Sequence, residues 1–141
     1  MRSPSMPSRI LLGAALGLAV LTGGASGKAA PAKQWAVTVL TEPTLIGSTI
    51  VQGPVLFTHD ESKMARGEPC TTVYIFEPVK KGPAEELTSF HCIPRPRSIA
   101  KTFTVRTKPN TELGFGRVMT EYQFAGDAEG HGVPPTLVYV N

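Results

Sequence analysis

Once past residue 22, the chain has no apolar run approaching the length of about 20 residues that a membrane-spanning helix needs. It has only two cysteines, and they do not form a Cys-x-x-Cys pair, which removes the usual thiol-exchange motif. His-Glu-x-x-His, a phosphate-cradling Gly-rich loop and a dinucleotide fingerprint are all missing. Ser48, Ser62, Ser89 and Ser98 occur in no Gly-x-Ser-x-Gly context, so nucleophilic serine chemistry has no presenting turn. These absences favour binding over catalysis. An enzyme would need a site assembled from distant residues.

The N-terminus has the layout of a secretory signal peptide: Arg2 and Arg9 flank an acid-free start, an uncharged run follows from Ile10 to Thr22, and small residues come next. A cut after Gly27, with Ala25 three places back, fits this pattern, and a cut after Ala29 is the close second. We therefore expect residues 1–27 to be a signal, 28–33 a mobile leader, and 34–141 a single β-rich domain in an exported protein, periplasmic or secreted. No cysteine at the cleavage region invites a lipid anchor. Of the 14 basic residues, Arg2 and Arg9 leave with the signal, so 12 face 11 acids. Near-neutrality gives no general attraction to nucleic acid.

The remaining chain reads as short strands separated by Pro and Gly turns. Gln34–Leu40 alternates Trp35, Val37 and Val39 with Gln34, Ala36 and Thr38, the period-2 pattern of a half-buried strand. Further strands are expected at Leu45–Val51, Pro54–Thr58, Thr71–Glu77, Leu87–Ile93, Thr102–Thr107, Arg117–Phe124 and Leu137–Val140, with a turn at Gln52-Gly53-Pro54. One helical turn fits Glu61–Arg66, with Asp60 as N-cap and Gly67 as terminator. The fold class is all-β: a small antiparallel sandwich or barrel of about seven to eight short strands with at most one helical turn.

Cys70 and Cys92 bracket an expected hairpin with its loop at Pro78–Ala84. A register that sets Ile75 opposite Leu87 also sets Cys70 opposite Cys92, and an exported chain would oxidise such a pair. A disulfide closing about 22 residues would contribute roughly 3 kcal/mol in the chain-entropy model. The competing reading uses Cys92 as a ligand with His59, His91 and Met64, a soft donor set suited to copper(I). Consecutive side chains of a strand point to opposite faces, which opposes joint use of His91 and Cys92.

Two further segments carry candidate ligands. Gly126–Gly132 places Asp127, Glu129 and His131 between small residues, a flexible set of two carboxylates and an imidazole. It lacks the oxygen ligands that a calcium loop requires. The stretch Lys80–Lys108 is basic between acidic flanks, and its Arg95-Pro96-Arg97 is held extended by proline, exposing both guanidinium groups. The reading favoured by the residues is an exported, non-catalytic binding or structural envelope protein, with an anionic envelope polymer or another exported protein as partner. A copper or zinc protein using His and Met residues is the alternative; no other cofactor is indicated. A small enzyme with a dispersed site is the third reading.

Overall fold

A computed structural model describes residues 32–135. The expected signal, residues 28–31 of the leader and the expected strand at Leu137–Val140 lie outside the described residues. Eight strands and one short helix follow in order: β1 (Lys33–Ile46), β2 (Thr49–Asp60), α1 (Glu61–Ala65), β3 (Thr71–Glu77), β4 (Gly82–Phe90), β5 (Ile93–Pro96), β6 (Thr104–Pro109), β7 (Arg117–Gln123) and β8 (Glu129–Gly132). The all-β expectation holds. No helix among the described residues is long and apolar enough to cross a membrane.

The strands hydrogen-bond in the order β4-β3-β2-β1-β7-β8-β5, with β6 also paired to β7, and the sheet does not close into a barrel. Every pairing is antiparallel except β1 with β7, where Thr44 faces Arg117 and Leu45 faces Val118. The long β1 serves both halves because its register against β2 shifts between Leu40 and Thr44. Such an irregularity bends a strand and sharpens its twist, freeing its end to reach a new neighbour. At the junction Gly116 is obligatory. Its φ is +72°, and a Cβ there would stand 2.3 Å from the carbonyl oxygen of Pro43.

The expected turn at Gln52-Gly53-Pro54 lies within continuous strand. Gly53 takes a φ of +95° opposite Leu40, beside the register shift, and the chain instead reverses at Gly47-Ser48. Glycine and proline mark backbone irregularity here rather than a strand end. The helical turn is as expected, with the Asp60 side chain accepting from the Ser62 N–H and Gly67 at positive φ beyond it. The leader ends earlier than anticipated: Lys33 begins β1 and its ammonium lies 3.7 Å from Asp60. Glu129–Gly132, expected as loop, is strand β8.

The core joins the two halves of the sheet. Val55 and Phe57 of β2, Val73 of β3 and Phe90 of β4 meet Met119, Tyr122 and Phe124 from the β7 side. The Phe57 ring packs tilted against Tyr122 and Phe103, with centroids 5.2 Å and 5.3 Å away. The Tyr122 and Thr71 hydroxyls share a hydrogen bond across the layers. Each fully buried apolar side chain of this size contributes about 1.5–3 kcal/mol. The inward face of β1 is Ala36, Thr38 and Leu40, so Trp35, Val37 and Val39 point outward, with Trp35 72% exposed. The period-2 alternation is as expected, with the smaller row facing inward.

Candidate metal centre

Period-2 alternation carries the inward face of β2 from Val55 and Phe57 to His59, which is 2% exposed. Directly after it, the Asp60 N–H donates to the Cys70 carbonyl at 2.9 Å, tying the end of β2 to the residue that enters β3. Cys92 sits between β4 and β5 and is buried. From the other half, β8 alternates Gly130 and Gly132 outward with His131 inward, 1% exposed. His131 pairs with Tyr122 across the ladder and lies stacked on its ring at 4.9 Å and 19°.

These three segments converge. Ligand atoms of His59, Cys92 and His131 all lie within 4.8 Å of one another, and the two imidazole centroids are 4.3 Å apart. None of the four imidazole nitrogens finds a hydrogen-bond partner among the described residues. Buried polar atoms are nearly always paired, since leaving one unpaired costs about 1–3 kcal/mol. In two neutral imidazoles, two lone pairs and two N–H groups are thus left unpaired, which is costly unless a further group uses the lone pairs.

A second layer of carboxylates stands just outside hydrogen-bond range. Glu61 approaches His59 Nε2 at 3.9 Å, Asp127 approaches His131 Nε2 at 3.8 Å, and Glu129 approaches His131 Nδ1 at 3.8 Å. Carboxylates in this position orient metal-bound imidazoles by accepting from the other ring N–H. Asp127 is itself fixed by the Glu129 backbone N–H at 2.9 Å and by Gln34 Nε2 at 3.3 Å.

Electrostatics favour neutral imidazoles. Burial pushes His131 down to about 4, helped by the neighbouring His59, while Asp127 and Glu121 oppose. Burial likewise lowers His59 against the pull of Glu61, Asp127 and Asp60. Burial raises Glu129, with Asp127 and Glu61 adding to the effect. Both imidazoles thus offer lone pairs at neutral pH, the form a metal requires. Burial and the adjacent Cys70 thiol push Cys92 up to about 12.

No protein-family model, curated protein or solved structure matches the chain. The chemistry of the cluster is therefore read from its own donors.

The expected Cys70–Cys92 disulfide is not formed: both cysteines are free. The hairpin register explains this. Thr71 faces Phe90, Thr72 faces Ser89 and Val73 faces Thr88, which would bring His91, not Cys92, level with Cys70. Leu87 falls at an irregularity between Thr88 and Glu86, and Ile75 faces Val55 on its other neighbour. Cys70 instead accepts the Cys92 backbone N–H on its Sγ at 3.1 Å.

The soft set of the sequence reading is split by the fold. His59 and Cys92 come together, and Met64 packs partly buried against the hydrophobic cluster that includes Cys92. His91 points to solvent, as its alternation with buried Cys92 requires. Its place is taken by His131, which the sequence had grouped with Asp127 and Glu129. That grouping also survives, as the outer layer on the same imidazole. The available signal was the small-large alternation Gly130-His131-Gly132-Val133, a strand pattern inside a Gly-rich segment. Arg95 and Arg97 lie on the opposite face of this half-sheet, gathered on Glu121.

Proposed function

We propose that the protein is an exported metal-binding protein that holds one copper ion on His59, Cys92 and His131. The observation that carries this reading is the convergence of three buried donors within 4.8 Å, with every imidazole nitrogen unpaired. Two imidazoles and one thiolate form a soft, three-donor set, the type that selects copper outside hard-oxygen environments. When bound, the ion would take the Cys92 sulfur as thiolate, releasing its proton, and would satisfy one nitrogen of each ring. Glu61 would then orient His59, and Asp127 or Glu129, whichever faces the His131 nitrogen the ion leaves free, would orient His131 through its N–H. Export is supported by the charge and apolar pattern of residues 1–27.

Cys70 supports a second reading. Its thiol lies against the Cys92 backbone, and joining the set would make Cys2His2, a tetrahedral donor set that favours zinc.

Native mass spectrometry of the protein from the exported fraction, before and after addition of copper(I) or zinc, tests both. One copper per chain, lost in His59→Ala and His131→Ala but kept in His91→Ala and Cys70→Ser, is the expected result. Zinc lost in Cys70→Ser selects the second reading. A chain that takes up neither metal, or that carries a Cys70–Cys92 bridge in its mature form, overturns the proposal.

A further inference from the structure

On the outer face of β8, away from the imidazoles, one carboxylate gathers three arginines. Glu121 is 1% exposed. Arg97 donates to it from Nε at 3.0 Å and from Nη2 at 2.8 Å, Arg106 donates from Nε at 3.0 Å, and Arg95 Nε stands 3.9 Å away. Arg97, the nearest cation, holds the Glu121 carboxyl below the usual carboxylate range, so it stays charged. One negative charge thus faces three positive charges.

The strands set this arrangement. Arg106 of β6 pairs with Glu121, and Glu121 pairs with Gly132, so the carboxylate sits between two strands on one face. Arg95 of β5 and Arg97, the residue just past its end, are two positions apart and share a face, and Pro96 between them and Pro94 before them stiffen the segment. The glycines of β8 form the floor. A Cβ at Gly130 would come within 2.8 Å of the Glu121 carboxylate, and one at Gly132 within 2.9 Å of Arg95 Nε.

The donors that Glu121 does not use remain. Arg97 retains Nη1, Arg106 retains both Nη groups, and the Arg95 guanidinium makes no hydrogen bond among the described residues, only the 3.9 Å approach to Glu121. The side chains are 38–52% exposed, accessible to a ligand while anchored from below. A shallow depression between Arg97 and Arg106 is lined otherwise by Pro96 and Ser98, with no acidic side chain. Asp127 and Glu129, the acids beside Arg95, turn to His131 instead.

We propose that Arg95, Arg97 and Arg106, preorganised by Glu121 over Gly130 and Gly132, form a binding site for a phosphate group. Planar guanidinium forks match tetrahedral oxyanions through paired N–H donors, and held forks lose less entropy than free ones. The depression between Arg97 and Arg106, clear of acidic side chains, suits the negative charge of a phosphate monoester, free or carried on a polymer. The site is independent of the metal reading.

Its test is the arginine Nε–H NMR spectrum of the protein as purified, titrated with inorganic phosphate or linear polyphosphate against chloride at matched ionic strength. Saturable shifts at Arg97 and Arg106 with phosphate, weakened tenfold or more in Arg95→Gln and in Arg106→Gln, are expected. Arg106→Lys keeps the charge, loses the fork, and should weaken binding at least threefold. Saturation by inorganic phosphate identifies a free anion as ligand, and saturation by polyphosphate at far lower phosphate concentration identifies a polymer. Shifts that follow ionic strength alike in phosphate and chloride overturn the site and leave the arginines as props for Glu121. So does undiminished binding in both glutamine variants.

Discussion

His59 and His131 come from opposite halves of the sheet, yet their rings lie 4.3 Å apart and neither has a hydrogen-bond partner among the described residues. Two imidazoles this close cannot both be protonated without strong repulsion, and burial already disfavours either cation. The neutral pair places imidazole nitrogens within 4.8 Å of the Cys92 thiol. Its consequences can be measured separately.

Metal-free protein should lose stability as pH falls from about 6.5 to about 4. His131 is about 4 in the fold against 6.5 in an unfolded chain, so the unfolded chain binds the proton first. The stabilising effect is complete above 6.5 and fades toward 4, to a total of about 3 kcal/mol. His59 acts in the same direction; Glu129, raised by burial, opposes it, and Glu121, held low by Arg97, adds a loss at more acidic pH. Urea midpoints measured at pH 7 and pH 4.5 would show the difference, and a flat profile would contradict the buried neutral pair.

Cobalt(II) added to the protein should bind at the proposed site and show a thiolate-to-cobalt charge-transfer band. Cys92→Ser should abolish that band while leaving residual, weaker cobalt binding to the imidazoles. Cys70→Ser should keep it if Cys70 is only a neighbour of the Cys92 N–H. Absorption spectra of the two variants decide between three and four protein ligands.

Gly116→Ala should destabilise the fold by at least about 2 kcal/mol, because a left-handed backbone and a collision with Pro43 act together. The test is the urea midpoint of the variant. An unchanged midpoint would mean that the parallel β1–β7 junction adapts freely.

Tyr122→Phe removes the oxygen partner of the buried Thr71 hydroxyl, leaves it the weak Cys70 Sγ contact at 3.9 Å, and keeps the ring under His131. A cost of about 1 kcal/mol follows from losing that hydrogen bond. Metal stoichiometry by mass spectrometry should remain one per chain, since the phenol is not among the donors.

Much of the secondary structure was legible because it is written locally. Thr71–Glu77 is β-branched and aromatic throughout and is strand β3 with the expected bounds; Asp60, Ser62 and Gly67 write a one-turn helix in cap chemistry. Face and register were not legible. Trp35, Val37 and Val39 make the more apolar row of β1, yet the smaller Ala36, Thr38 and Leu40 fit against the bulky Phe57 layer. The two register shifts in the β3–β4 pair leave Cys70 level with His91, one residue short of Cys92, and neither shift is marked in the sequence. The site was half legible: His59 with Cys92, and His131 with Asp127 and Glu129, were each proposed, but their union depends on β8 packing over Tyr122. That contact is set by tertiary structure.

The outward row of β1 has a practical effect on how this protein can be followed in solution. Trp35 is the only tryptophan in the chain and already sits mostly in water when folded. Its emission will resemble that of a solvated indole in both states and will report poorly on unfolding. The chiral crowding of Phe57, Phe103, Tyr122, Phe124 and His131 around one buried phenol should instead give a near-ultraviolet dichroism signal that vanishes with the fold. Tyrosine, not tryptophan, is this protein's optical witness.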